Sequence, residues 1–286
     1  MNFIELIIQG ILLGGLYALF AAGLSLIFGI MRLVNIAHGD FIILSAYIAY
    51  LVISYTGVHP FIALLLVIPI MSMLGYMIQR YILNRTMGDD ILPPLLVTFG
   101  LAVIIQNTLL TTFSTNTHRL TAGNIDTASV GILDMHFGLL PILTFFVAII
   151  IIFGLELLFS YTKIGRAFRA TSDDREMASA IGINTKHVFA LAMALCFCVI
   201  SVAGVLLAIR SSFDPFSGPA RLIYGFEAVI IGGLGSLWGT LVGGIILGIA
   251  QIFGAHISPS FQILAGHLAF FIILAVRPKG LFSKVE

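Results

Sequence analysis

Charge is scarce in this chain: 14 Lys and Arg and 13 Asp and Glu, 9 % of 286 residues. Soluble domains carry roughly a quarter charged residues, so an ordinary water-facing surface is excluded. The net charge of +1, with the basic residues confined to loops, leaves no stripe to neutralise phosphates, and a nucleic-acid partner is excluded with it. Two cysteines make no disulfide framework. Cys196 and Cys198 lie two apart in an apolar run, where a helix points them about 200° apart, so packing is expected rather than a metal or redox pair. Catalytic signatures are missing as well: no His-Glu-x-x-His, no Gly-x-Ser-x-Gly, no phosphate loop and no metal-ligand spacing among the scattered histidines. No catalytic residue, metal or chain-bound cofactor is expected.

What the sequence does contain is apolar length. Hydrophobic residues make up 59 %, gathered into runs at Ile4–Ile30, Phe41–Tyr55, Phe61–Leu83, Leu92–Phe113, Leu139–Phe159, Val188–Ile209, Phe226–Gln251 and Ile263–Val276. About 20 apolar residues span a bilayer as a helix. The fold class read from these runs is all-α, a polytopic integral membrane protein with eight or nine transmembrane helices. Residues 1–286 are expected to form a single transmembrane domain. The first run lacks the basic start of a cleavable signal and is expected to be retained.

Glycine marks where the helices should touch. Gly10, Gly14, Ala18 and Ala22 recur every four residues on one ridge, which lets a neighbour approach where lipid offers no hydrophobic drive for association. Phe226–Gln251 is denser still. Gly235, Gly239 and Gly243 share the same spacing, with Gly244 and Gly248 following, so two packed helices joined by a turn near Gly235–Trp238 are expected. Gln106 and Asn107 are expected to hydrogen-bond a neighbouring helix rather than a substrate.

Two polar stretches break the pattern. Lys163–His187 holds eight charged residues between long apolar runs. Five of them are basic and mark the cytoplasmic side. Thr171 or Ser172 can cap a helix, Asp173, Asp174 and Glu176 suit its first turn, and Gly182 supplies a stop. The segment reads either as a docking element or as a topology signal alone. The second stretch, Arg32–Asp40, crowds Asn35, His38, Gly39 and Asp40 into a break between apolar segments. It reads as a pathway lining, since unwound backbone at membrane depth survives only where protein or a water-filled cavity satisfies it, or as a plain cytoplasmic turn.

The basic residues also set orientation. Arg80, Arg85, the 163–187 segment and the tail with Arg277, Lys279 and Lys284 fall on one side. Arg119, Arg210 and Arg221 fall on the other, in an external loop at 114–136 and an irregular external loop at 210–221. Nine crossings with an external N-terminus follow, or eight if Phe41–Tyr55 or Ile263–Val276 is re-entrant.

Four blocks in order, GLSLIFGIMRLVNIAHGDF, GRAFRATSDDREMASAIGIN, GFEAVIIGGLGSLWGTLVGGIILGI and RPKGLF, together resemble the LivH-type permeases of branched-chain amino acid ABC importers. The resemblance implies a bacterial inner-membrane, multi-pass subunit with the ABC importer permease fold. Its implied partners are a second homologous permease, two cytoplasmic ATP-binding subunits that use the ATP, and an external substrate-binding protein. It further implies that Gly165, Arg166, Ala167, Arg169, Asp173, Ala178, Gly182 and Ile183 form the segment coupled to the ATPase. Asn35, Ala37, His38 and Gly39 match the family block after the first long run. Branched-chain or other hydrophobic amino acids are the implied cargo, with urea or short amides as the alternative within the wider family. A self-sufficient channel or secondary carrier is the rival from another class.

Overall fold

The computed structural model describes residues 3–88, 90–132 and 135–282. Asp89, expected in a basic-side loop, and Lys284 of the tail lie outside them, as do residues 133 and 134 of the 114–136 loop. Eleven α-helices occur among the described residues. They are α1 (Phe3–Met31), α2 (His38–Thr56), α3 (Pro60–Met77), α4 (Leu92–Phe113), α5 (Leu139–Tyr161), α6 (Lys163–Asp173), α7 (Arg175–Ala180), α8 (Thr185–Arg210), α9 (Gly218–Gly232), α10 (Leu237–Ile257) and α11 (Phe261–Val276). A hairpin of β1 (Ser129–Ile132) and β2 (Met135–Gly138), paired antiparallel, precedes α5.

Among the described residues seven helices are long and apolar enough to cross a membrane. Two more, α9 with 15 residues and α11 with 16, are shorter. At 1.5 Å per residue α9 is about 22 Å long, less than the roughly 30 Å hydrocarbon core. α1 and α8 are the central pair, with 83 % and 78 % of their most apolar window buried inside the protein. The outer faces of α3, α5 and α11 show Leu65, Met73, Phe146, Ile150, Leu268 and Phe271, side chains suited to lipid.

Both ends of the bundle are identified by what they carry. α6, α7, the start of α8 and the tail share one end, the basic end. Asn84 donates to the Lys186 carbonyl at 3.0 Å, and the Leu281 and Phe282 amides donate to Ile231 and Gly232. At the opposite end His118 exchanges backbone hydrogen bonds with Phe213, and the Leu120 amide donates to Ala208.

Three sequence expectations are corrected. The segment read as one helix capped at Thr171 or Ser172 is two helices. Thr171 is buried within α6 and donates to the Ala167 carbonyl, while Ser172 donates to the Gly29 carbonyl at 2.5 Å. The caps are Thr162, whose hydroxyl accepts from Gly165, and Asp174, which accepts from Glu176 and Met177. The loop read as 210–221 is only 211–217, because Arg210 ends α8 and Arg221 lies inside α9. The helix read from Phe226 starts eight positions earlier, at Gly218, where Pro219 at the first turn needs no backbone partner for its nitrogen.

Candidate functional site

The path of the chain after α1 builds the site. At Arg32 the backbone turns through a left-handed conformation, φ 52°, and residues 32–35 run without regular structure. They climb back into the bundle. The Ile36 amide donates to Thr98 Oγ1 of α4 at 3.3 Å, and His38 Nε2 donates to the Phe20 carbonyl of α1 at 2.9 Å. Phe20 lies about 16 Å along α1 from its Met31 end. α2 therefore begins deep inside the protein, not at its surface.

The start of α9 is placed at the same depth from the other side. Residues 211–217 fold inward from the end of α8, with Phe213 fully buried against Tyr47, ring centroids 4.9 Å apart. Gly218 then meets Gly39. A methyl group built on Gly39 would collide with the Gly218 carbonyl, and one on Gly218 would collide with the Asp40 side chain. Two helix N-termini thus converge at one point. Each carries partial positive charge from its unpaired amides, and Asp40, 2 % exposed, is set between them.

The neighbouring polar groups are specific. Gln106 Nε2 of α4 donates to Asp40 Oδ1 at 2.9 Å, a helix-to-helix bond of the kind its position suggested. Asn35 Oδ1 accepts from the Ala37 amide at 3.1 Å, and the Asn35 carbonyl accepts from His38. Among the described residues the Asn35 Nδ2 donor has no partner, although Asn35 is 1 % exposed. Because a carbonyl can only accept, the His38 proton sits on Nε2 and leaves Nδ1 facing Cys196 Sγ at 4.0 Å. Asn35, His38, Gly39 and Asp40 are thus gathered at one junction. Gly218 and Gln106 join them. The Gly-Pro pair at 218–219 signals a helix start, but its depth depends on the inward fold of 211–217.

At the basic end α6 lies across the α5 terminus. Gly165 is buried there, where a methyl group would sit 2.6 Å from Phe159 Cα, and Arg169 donates to the Phe159 carbonyl. Arg166 and Asp173 are exposed, whereas Ala167 packs against the core and Ala178 is buried. Just past α7, Gly182 takes φ 91°, with Gly182 and Ile183 donating to Ser179 and Ala178, the paired bonds of a left-handed stop. Arg175 lies 5.4 Å from the Phe189 ring centroid. Ile164 of α6, Met177 of α7 and Ile181 just after α7 remain exposed, as Arg166 does.

The glycines fall into two contacts. Gly10 and Gly14 meet Gly244 and Gly248: methyl groups on Gly10 and Gly14 would lie 2.5 Å from the Cα atoms of Ile249 and Ile245. Gly239 and Gly243 instead meet Gly232 and Ala228 of α9, and Gly235, φ 81°, turns the chain against Gly29. One helix, α10, thus offers small-residue faces to both α1 and α9. Two further polar contacts inside the bundle were not anticipated. Tyr17 donates to Gln251 at 2.5 Å, and Glu227 of α9 pairs with His267 of α11. The lone Glu227 in a long apolar run was the available signal.

The sequence agrees with known proteins along most of its length. It is 28 % identical to the high-affinity branched-chain amino acid transport system permease protein BraD of Pseudomonas aeruginosa, over 100 % of this chain and 97 % of that one. It is also 28 % identical to the corresponding permease protein LivH of Escherichia coli K12, over 99 % and 96 %. Among solved structures, PsaBC from Streptococcus pneumoniae in complex with Fab aligns with a TM-score of 0.49 and 17 % identity, covering 95 % of this chain and 91 % of that one. Residues 6–277 match the family described as "Branched-chain amino acid transport system / permease component", and the chain belongs to that family of transport permeases.

Proposed function

We propose that this chain translocates branched-chain amino acids across the bacterial cytoplasmic membrane as one permease of an ATP-driven importer, and that its substrate path passes the α2–α9 junction. The observation that carries this reading is the meeting of two helix N-termini at Asp40, deep among the helices. A zwitterion suits that place. Its carboxylate is attracted to the helix N-termini and to the spare Asn35 donor, and its ammonium group to Asp40. A neutral path elsewhere leaves the aliphatic side chain among apolar neighbours. The junction is closed in this conformation, so passage requires α2 and α9 to part. Alternating access supplies that motion.

The basic end is read as cytoplasmic. The exposed α6–α7 segment, carrying Arg166 together with Ile164, Met177 and Ile181, fits an ATP-binding subunit better than it fits a merely solvated loop, since large apolar side chains are exposed in it as well as charge. Membership of a transport-system permease family supports a second permease, two ATPases and an external binding protein as the remaining components. Gentle purification of the chain from its native membrane, followed by mass spectrometry, tests the assembly. Recovery of ATPases with a second permease is expected. Recovery of the chain alone, still passing leucine in liposomes without ATP, overturns the reading in favour of a channel or carrier.

A further inference from the structure

A cavity of about 440 Å³ opens at the basic end, between α6 and the ends of α1, α5 and α10. Its size falls in the roughly 300–1,000 Å³ range of small-molecule sites. Charged groups of both signs line it: Arg169 and Asp173 from α6 and Glu156 from α5. Among the described residues no ion pair joins Arg169 to either carboxylate. Leu26, Ile30, Phe168 and Trp238 supply apolar walls.

Two independent features point to a ligand. α10, a helix of 21 residues, starts at this wall with Ser236 as its cap. Ser236 Oγ accepts from the Gly239 amide, but among the described residues the Leu237 and Trp238 amides find no acceptor. They are free to hold a carboxylate. Ser25 of α1, 1 % exposed and lining the same cavity, has a hydroxyl with no hydrogen-bond partner among the described residues. A buried polar atom left unpaired costs free energy that a ligand recovers.

We infer that this cavity binds a free amino acid from the cytoplasmic side and thereby slows the transporter. The α-carboxylate sits at the α10 N-terminus beside Arg169, the ammonium group sits between Glu156 and Asp173, and an aliphatic side chain lies against Leu26 and Trp238. The occupant bridges α6, the segment that must move with the ATPase, to the static ends of α1 and α10. Ligand then favours the conformation in which these walls are close, and turnover falls. Accumulated product limits its own import. This inference rests on the proposed amino acid substrate and on the cytoplasmic orientation of the basic end.

The test uses the complete complex in lipid nanodiscs, with ATP hydrolysis measured as L-leucine is added without the external binding protein. Inhibition of about fivefold or more is expected, with leucinol, which lacks the carboxylate, inactive. Glu156→Gln and Ser25→Val complexes should retain ATP-dependent leucine uptake in proteoliposomes and lose the inhibition. Inhibition unchanged in both variants overturns the site, as does hydrolysis indifferent to leucine in the wild-type complex. Failure of leucine uptake by the wild-type complex is a separate readout that contradicts the proposed substrate instead. Where Glu156→Gln fails to assemble, Ser25→Val decides alone: loss of inhibition with uptake retained supports the site, and inhibition unchanged from wild type overturns it.

Discussion

Gly39 of α2 meets Gly218 of α9 deep in the bundle: the Gly218 carbonyl leaves no room for a methyl group on Gly39, and Asp40, next to Gly39, leaves none for a methyl group on Gly218. These two contacts fix where both discontinuous helices begin. Ala at either position must push the helices apart or rotate them, at a cost of about 1–3 kcal/mol. Gly218→Ala is expected to leave membrane insertion intact and to reduce ATP-dependent uptake about tenfold, measured with labelled leucine in cells expressing the complete system.

The Asp40–Gln106 hydrogen bond holds a carboxylate where little water reaches. Removing the donor strands that group at a cost of about 1–3 kcal/mol. Gln106→Leu is therefore expected to lower thermal stability in detergent, while Asp40→Asn, which keeps a hydrogen-bonding amide, retains the fold and lowers transport. Size-exclusion chromatography and uptake of the two variants separate these effects.

α1 and α10 approach through Gly10, Gly14, Gly244 and Gly248. Gly14→Leu cannot be accommodated by a side-chain rotation, because the obstruction is the Ile245 backbone at 2.5 Å. Loss of the folded, assembled permease is expected, read as a missing band in a co-purification. An equally bulky change at Gly100, whose added methyl would meet nothing within 4 Å, should be tolerated.

Arg166 is exposed on α6 and its side chain makes no hydrogen bond or ion pair among the described residues, whereas Arg169 is tied back to Phe159. Arg166→Glu is expected to weaken attachment of the ATPase and cut uptake by about tenfold or more with unchanged insertion. Unchanged uptake would remove α6 from the coupling role.

Tyr17 donates to Gln251 Oε1 in a buried bond at 2.5 Å, and among the described residues the Gln251 amide nitrogen has no partner. Tyr17→Phe leaves the whole side-chain amide unpaired. A loss of about 1–3 kcal/mol follows, and melting of the purified complex should shift down by several degrees.

Helix positions were legible from the sequence because lipid demands long apolar runs, and the ridges at Gly10–Gly14 and Gly239–Gly243 marked where helices touch. Depth was not legible. Asn35–Asp40 reads alike as a surface turn or as a re-entrant start, since both put polar residues between apolar segments, and only the Phe20–His38 and Gly39–Gly218 contacts distinguish them. Arg221 looked external for the same reason: a Pro-containing loop followed by an arginine carries no mark that the chain has already turned inward. In the 163–187 segment, Asp174 rather than Thr171 or Ser172 became the cap, because Thr171 lies inside α6 and bonds back to Ala167 one turn earlier, while Ser172 is used in a tertiary contact with Gly29, which neighbouring residues in sequence do not reveal.

The central claim, ATP-driven amino acid passage at the α2–α9 junction, is tested most directly by a cysteine pair at Gly39 and Gly218 in the reconstituted importer. The larger side chains themselves perturb the contact, so the pair is placed four residues along each helix, as Ile43→Cys and Leu222→Cys, and leucine uptake is measured before and after cross-linking with a short, reducible bis-methanethiosulfonate. Uptake that needs ATP, stops on cross-linking and returns on reduction is the predicted result. Uptake that proceeds unchanged with the two helices covalently joined would contradict the account.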